Sequence, residues 1–211
     1  MEEFFLKVQT ATLDQLQSEE WLTASIASIG LFPDTRGDQV YGDDIQYVKE
    51  EGLYQIPRQL AQYLIQLTKI KKIKNFLDIG TFQGYTITTI CIYLLRFNPD
   101  LMIDAVDIES LVMPAIRNIW SKYSLPISYR PVQLAAHYDV AFIDGDHSYD
   151  AVRRDYETIR PISDVLTFHD INDQWCPGVV QLWNEIKNEN CYEFTWHSRG
   201  YRSMGIGLHL A

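Results

Sequence analysis

Cysteine is scarce in this chain, and its placement carries no pattern. Cys91, Cys176 and Cys191 are widely spaced, and no CxxC pair occurs. That excludes a zinc ribbon and a disulfide framework, and it points to reduced thiols in a cytoplasmic protein. Long hydrophobic runs are also missing. No stretch approaches the roughly 18 to 20 apolar residues of a spanning helix, so no membrane partner is expected. The opening MEEFFLKVQT places acids ahead of a short apolar run, the reverse of a secretory signal. Cations are outnumbered, with 18 Lys and Arg against 28 Asp and Glu and a net charge of −10. Affinity for a nucleic-acid backbone comes mainly from cationic contacts, so nucleic acid is a poor partner. There is no internal repeat. What remains is ordinary: 211 residues, 46% hydrophobic and 22% charged, enough for one α/β domain with a short extension. Aromatics at 13% supply either stacking surfaces or core bulk.

Residues 1–52 read as an N-terminal helical cap or lid. Thr12–Leu16 and Glu19–Leu22 look like short helical pieces, and Pro33–Asp38 and Tyr41–Asp44 are rich in turn formers. A helix is expected over 57–69, with Pro57 in its first turn and Leu60, Leu64 and Leu67 on one face. From residue 75 the pattern alternates. Short apolar strands are expected at 75–80, 102–107, 127–130, 139–144 and 164–170. Helices are expected at 84–97 and 110–123, around Tyr149–Ile159, and after Pro177. Near-continuous apolar strands separated by helices imply a parallel sheet covered on both faces. At the end, Tyr192, Phe194 and Trp196 alternate with polar residues, and so do Met204, Ile206, Leu208 and Leu210. Two period-2 runs around a glycine-bearing loop read as an antiparallel hairpin.

In an open parallel sheet, ligands bind beyond the carboxyl ends of the strands near the switch point. Four strand ends carry candidate chemistry. Asp78-Ile-Gly80-Thr-Phe-Gln-Gly84 is a turn in which Gly80 lets the chain leave the strand and Gly84 lets a ligand approach the backbone. The glycines are four apart, so this is not the dinucleotide fingerprint, and a nicotinamide dehydrogenase is disfavoured. Asp107 ends the second strand, where an acid can accept hydrogen bonds from both ribose hydroxyls; Glu109 competes for that role. Asp144, Asp146 and His147 crowd the fourth strand end. Carboxylates there suit a hard cation such as Mg²⁺, and His147 suits a general base, although Asp146 and Ser148 also read as helix caps. His169 and Asp170 end the fifth strand. Asp170 meets Asp144 if their strands are neighbours, Asp173 reads as a cap for the next helix, and His169 is open between ligand, base and structural histidine. His137, His197 and His209 carry no motif.

With those strand ends in place, the sequence resembles class I S-adenosylmethionine-dependent methyltransferases. It is closest to the compact small-molecule O-methyltransferase group that includes cephalosporin-hydroxylase-like enzymes. The resemblance spans about 53–211 and rests on LDIGTFQGYT at 77–86, AVDIE at 105–109, FIDGDHSYDAVRRD at 142–155 and FHDI at 168–171. It implies a Rossmann-like fold with a mostly parallel seven-stranded sheet, an antiparallel C-terminal hairpin and helices on both faces. It implies S-adenosylmethionine as cofactor, held by Asp78, Gly80, Thr81, Gly84, Asp107, Ile108 and Asp144. It implies Mg²⁺ on Asp144 and Asp170, with Asp144, His147 and His169 as the catalytic groups. The expected reaction is O-methylation of a small hydroxylated substrate, a sugar or secondary metabolite, by a protein that self-associates as related small enzymes often do. A non-catalytic scaffold keeping the fold, and a hydroxylase on the same fold, are the alternatives. The chain departs from the family's pattern at the fifth strand, where His169 replaces an acid or amide. It departs again after the third strand, where Pro131-Val132-Gln133 carries no acid.

Overall fold

The computed structural model describes residues 1–131 and 133–210, so the departure noted at Val132 lies outside the described residues. Seven strands form one sheet in the order β3-β2-β1-β4-β5-β7-β6. They are β1 (Asn75–Ile79), β2 (Met102–Val106), β3 (Ile127–Tyr129), β4 (Val140–Ile143), β5 (Val165–His169), β6 (Cys191–Phe194) and β7 (Ile206–Leu210). β1 to β5 run parallel, while β7 lies antiparallel between β5 and β6. The order reverses between β1 and β4, which makes that junction the switch point.

Alternation along each central strand feeds two cores. Phe76 and Phe142 face one layer, and Leu77, Ala141, Ile143 and Phe168 face the other. The first layer is filled by α5 (Pro57–Ile70), α6 (Tyr85–Leu94) and α7 (Pro114–Lys122), the second by α8 (Tyr149–Ile159) and α9 (Pro177–Ile186). α6 is buried over most of its length because a further layer covers it. That layer is α1 (Glu2–Thr10), α2 (Leu13–Leu16) and α3 (Glu19–Ala27), whose Phe4, Val8, Leu16, Leu22 and Ile26 join the same core. α1 was not apparent in the sequence. It is held by Glu2 and Glu3 in its first turn, where the helix dipole favours anions, and by the burial of Phe4 and Val8. α2 starts at a complete capping box between Thr12 and Gln15.

Between α3 and α5 the chain runs through a short helix α4 (Asp38–Tyr41) and a 3₁₀ turn (Gly42–Tyr47). Leu31 pairs with both Val48 and Leu53, so this segment leaves and rejoins the body at one place.

Two sequence expectations shift. The helix expected over 110–123 begins at Pro114, because proline suits the first helical position and cannot sit deeper. The expected hairpin exists, but its strands stop at Phe194 and restart at Ile206. The Gln59 side chain of α5 draws the loop backbone away from pairing, donating to the carbonyls of Trp196 and Ser203 and accepting from the Gly205 amide. Met204, read as a strand residue, instead has φ +52 and faces a cavity. Among the described residues no helix is long and apolar enough to cross a membrane.

Candidate active site

A cavity of about 940 Å³ opens at the carboxyl ends of β1, β2, β4 and β5. That is at the large end of the range for small-molecule sites, roughly 300–1,000 Å³, and gives room for two ligands side by side. One end is built by the β1–α6 turn. Gly80, at φ +92, has no room for a side chain, since a Cβ would lie 1.9 Å from the Asp144 carbonyl oxygen. The turn therefore presses against the end of β4 and brings the two strand ends into one wall. The Gly80 amide and the Thr81 amide both donate to the Val106 carbonyl, and Thr81 Oγ1 donates to Asp78 at 2.8 Å. Asp78 itself is buried behind the turn and supports it. Burial pushes its carboxyl up to about 7.

Gly84 at φ +86 precedes α6, which has no side-chain cap. Its missing side chain serves packing: a Cβ would meet Ile116, Val112 and Trp120 at 3.0 to 3.3 Å. Gly84, Tyr85 and Thr86 line the cavity at the helix N-terminus, where backbone amides and the dipole favour a carboxylate. Asp107 accepts from the Phe82 amide at 2.8 Å and from the Glu109 amide at 3.0 Å, which fixes its carboxylate at the cavity edge and ties β2 to the turn. Glu109 lines the same rim but is exposed. Ile108 on the same rim is an apolar side chain 91% exposed.

The other end holds the titratable cluster. Ile143 and Phe168 are register partners, so β4 and β5 deliver Asp144 and His169 side by side. His169 Nδ1 lies 3.2 Å from Asp144 Oδ1 and 3.2 Å from Asp170 Oδ1. His147 Nε2 lies 3.2 Å from Asp170 Oδ2 and 3.5 Å from Asp144 Oδ1. Burial resists ionisation of Asp144, but the adjoining His169 and His147 outweigh it and hold the carboxyl down to about 2. Burial likewise resists charging of His169, yet Asp144 and Asp170 raise its proton affinity well above the ordinary value. His147 is raised by its hydrogen bond to Asp144, against a smaller desolvation effect. Asp146 stands apart from the cluster. It is exposed and accepts from the Ser148 amide, the local turn that precedes α8. Asp173 likewise serves the backbone, accepting from the Trp175 and Met204 amides.

Two cavity residues, Arg36 and Trp175, gave no sequence signal. Arg36 stacks on the Trp175 ring at 4.4 Å and pairs with Asp34 at 2.7 Å, while Tyr54 bonds both members of that pair. The Arg36 guanidinium and the Tyr54 hydroxyl hold the Asp34 carboxyl down to about 2, against burial. Gln55, buried, reaches Asp144 Oδ2 from below the rim at 3.4 Å. Of the histidines without motifs, His197 bonds the Val40 carbonyl and His137 bonds Asp164, both outside the cavity.

Comparison with solved structures fits this architecture. The O-methyltransferase TomG from Streptomyces achromogenes, involved in tomaymycin synthesis and solved with SAM, is 16% identical. It aligns over 92% of this chain and 98% of its own, with a TM-score of 0.55. An O-methyltransferase from Bacillus cereus in complex with SAH is 14% identical over 100% and 97% of the two chains, with a TM-score of 0.52. The SAH-bound methyltransferase PaMTH1 from Podospora anserina is 11% identical over 95% and 89%, with a TM-score of 0.51. No family model and no curated protein matches the sequence. The shared feature is the fold: this chain has the Rossmann-like class I methyltransferase fold, with its antiparallel C-terminal hairpin.

Proposed function

We propose that the protein is an S-adenosylmethionine-dependent methyltransferase that methylates a hydroxyl of a small molecule, a sugar or secondary metabolite, with assistance from a divalent cation. The observation that carries this reading is one cavity walled at one end by the Asp107-anchored turn and at the other by Asp144, Asp170 and two histidines. The solved neighbours that hold SAM or SAH on the same fold support the cofactor.

The turn 80–84 and the open N-terminus of α6 receive the carboxylate of the methionine moiety, Asp107 the ribose hydroxyls, and Ile108 a face of the adenine. The donor set fits a cation, since Asp144, His169 and Asp170 offer ligand atoms within 4.8 Å of one another. When bound, such an ion lowers the pKa of a substrate hydroxyl and orients it. His147 stands at the mouth of the cluster with its side chain 43% exposed, placed to take the hydroxyl proton. Were a cation to engage Asp144 and Asp170, it would compete with the His147 proton for those carboxylates and leave the imidazole to act as the acceptor. Alignment of the oxygen with the sulfonium methyl then supplies much of the rate. Arg36, Tyr54 and Trp175 form the wall that the substrate meets.

Calorimetric titration with S-adenosylmethionine, with and without Mg²⁺, tests this. Micromolar-range binding is expected; absence of binding under both conditions overturns it. Binding that is indifferent to metal removes the cation and leaves the cofactor.

A further inference from the structure

Two carboxylates, Asp144 and Asp170, are the ligand set that the resemblance implies, while the sequence alone leaves His169 open between ligand, base and structural histidine. The structure adds a nitrogen. Consecutive residues of an extended strand point to opposite faces, so His169 and Asp170 ought to diverge at the end of β5. They converge because of the Asp170 backbone, whose φ of +62 is a left-handed conformation that aspartate enters more readily than most residues. Its effect here is to bring Oδ1 of both aspartates to 3.2 Å from the same atom, His169 Nδ1.

The outer oxygens are supported separately. Asp144 Oδ2 faces Gln55 Nε2 at 3.4 Å, and Asp170 Oδ2 faces His147 Nε2 at 3.2 Å and Cys176 Sγ at 3.6 Å. Gln55 is 1% exposed, and its Oε1 has no hydrogen-bond partner among the described residues. Carboxylates that ligate metals are held in this way, with one oxygen inward and the other oriented by a neighbour. His169 is 4% exposed and reaches these carboxylates through Nδ1 alone.

Mg²⁺ prefers an all-oxygen shell and retains several waters, whereas imidazole suits first-row transition ions. We propose that Asp144, His169 and Asp170 form a mixed oxygen–nitrogen centre for a divalent transition ion of the Mn²⁺ and Fe²⁺ class, with His169 a ligand and His147 left outside it. This replaces Mg²⁺ as the expected ion. It rests on the cation-assisted reading above, though not on methyl transfer itself.

Any mixed site ranks transition ions above Mg²⁺ to some degree, so the decisive readout is the nitrogen. The full chain, freed of metal by chelation, is titrated with Mn²⁺ alone and with Mg²⁺ alone. The Mn²⁺ form is examined by pulsed electron paramagnetic resonance for ¹⁴N coupling, and S-adenosylmethionine binding is measured separately by calorimetry. Expected are Mn²⁺ binding at least about ten-fold tighter than Mg²⁺ and coupling to one nitrogen. The coupling is expected to vanish in His169→Asp and to persist in His147→Asn. Should the third carboxylate prevent folding, as judged by circular dichroism, His169→Asn gives the same readout. Mn²⁺ bound without ¹⁴N coupling, coupling that survives substitution of His169, or no Mn²⁺ binding each overturns the proposal. S-adenosylmethionine binding without metal binding refutes this centre and leaves the cofactor reading. A nitrogen-coupled centre without cofactor binding does the reverse.

Discussion

Asp78 offers a test of the buried acid behind the β1–α6 turn. It is 2% exposed, and burial pushes its carboxyl from 3.8 up to about 7, with Asp144 and Asp107 adding repulsion and Thr81 opposing. Between those two values the folded protein keeps a proton that the unfolded chain has released. The unfolded state binds fewer protons there, so stability falls as pH rises through this window. A tenfold change in proton affinity corresponds to about 1.36 kcal/mol, so the rise at Asp78 implies a loss of at most roughly 4 kcal/mol between about pH 4 and pH 8. Asp78→Asn removes the titration while keeping the shape and an oxygen that can accept from Thr81. Urea unfolding of both proteins at pH 5, 6, 7 and 8 measures the difference. The variant's stability relative to the parent is expected to rise by about 2–3 kcal/mol across the series, most of it between pH 5 and pH 7 and little beyond. A difference that stays flat, or that shrinks as pH rises, refutes the claim that a buried neutral acid supports the turn.

Other substitutions probe separate links. Gly80→Ala forces a Cβ to 1.9 Å from the Asp144 carbonyl at a positive φ, so a loss of about 3 kcal/mol or more, or failure to accumulate folded protein, is expected in thermal melts. Asp107→Ala strips the Phe82 and Glu109 amides of their acceptor and is expected to weaken S-adenosylmethionine by about 10–100-fold in calorimetry, the two hydrogen bonds to the ribose being worth about 1.5–3 kcal/mol. Trp120→Phe deletes the 2.6 Å bond from Nε1 to Thr88 Oγ1 between α7 and α6. It is expected to cost about 1–2 kcal/mol of stability with cofactor affinity unchanged.

The sheet was legible because its strands are short apolar runs closed by glycine or aspartate. Asn75–Ile79, Val140–Ile143 and Val165–His169 read as buried strands, and their ends pointed to Gly80, Asp144 and Asp170 directly. Adjacency of β4 and β5, on which the meeting of Asp144 and Asp170 depended, is what the register shows. Other features depend on tertiary geometry that no local pattern encodes. The left-handed turn at Asp170 is one, since an aspartate after a strand reads equally as an ordinary loop residue. The packing requirement at Gly84 is another, set by Val112, Ile116 and Trp120 of a later segment. The Arg36–Trp175 stack joins residues distant in sequence, each unremarkable in its own context. α1 escaped notice because its apolar face is only Phe4 and Val8, too short a run to reveal a period.

The pairing of Leu31 with both Val48 and Leu53 has a practical consequence. A segment whose entry and exit are fastened at the same residue behaves as an exchangeable cassette. Residues 31–54 carry Arg36 and Tyr54 to the cavity and supply no side chain to the Asp144, His169 and Asp170 cluster, while the Phe32 ring packs edge-on against Phe82 of the β1–α6 turn at 5.5 Å. Grafting a different stretch between those two anchor points would redraw this wall of the cavity, with Phe32 kept as the partner of Phe82. Divergence or laboratory selection can therefore reshape the cavity through this insert, without rebuilding the part of the molecule that is hardest to change.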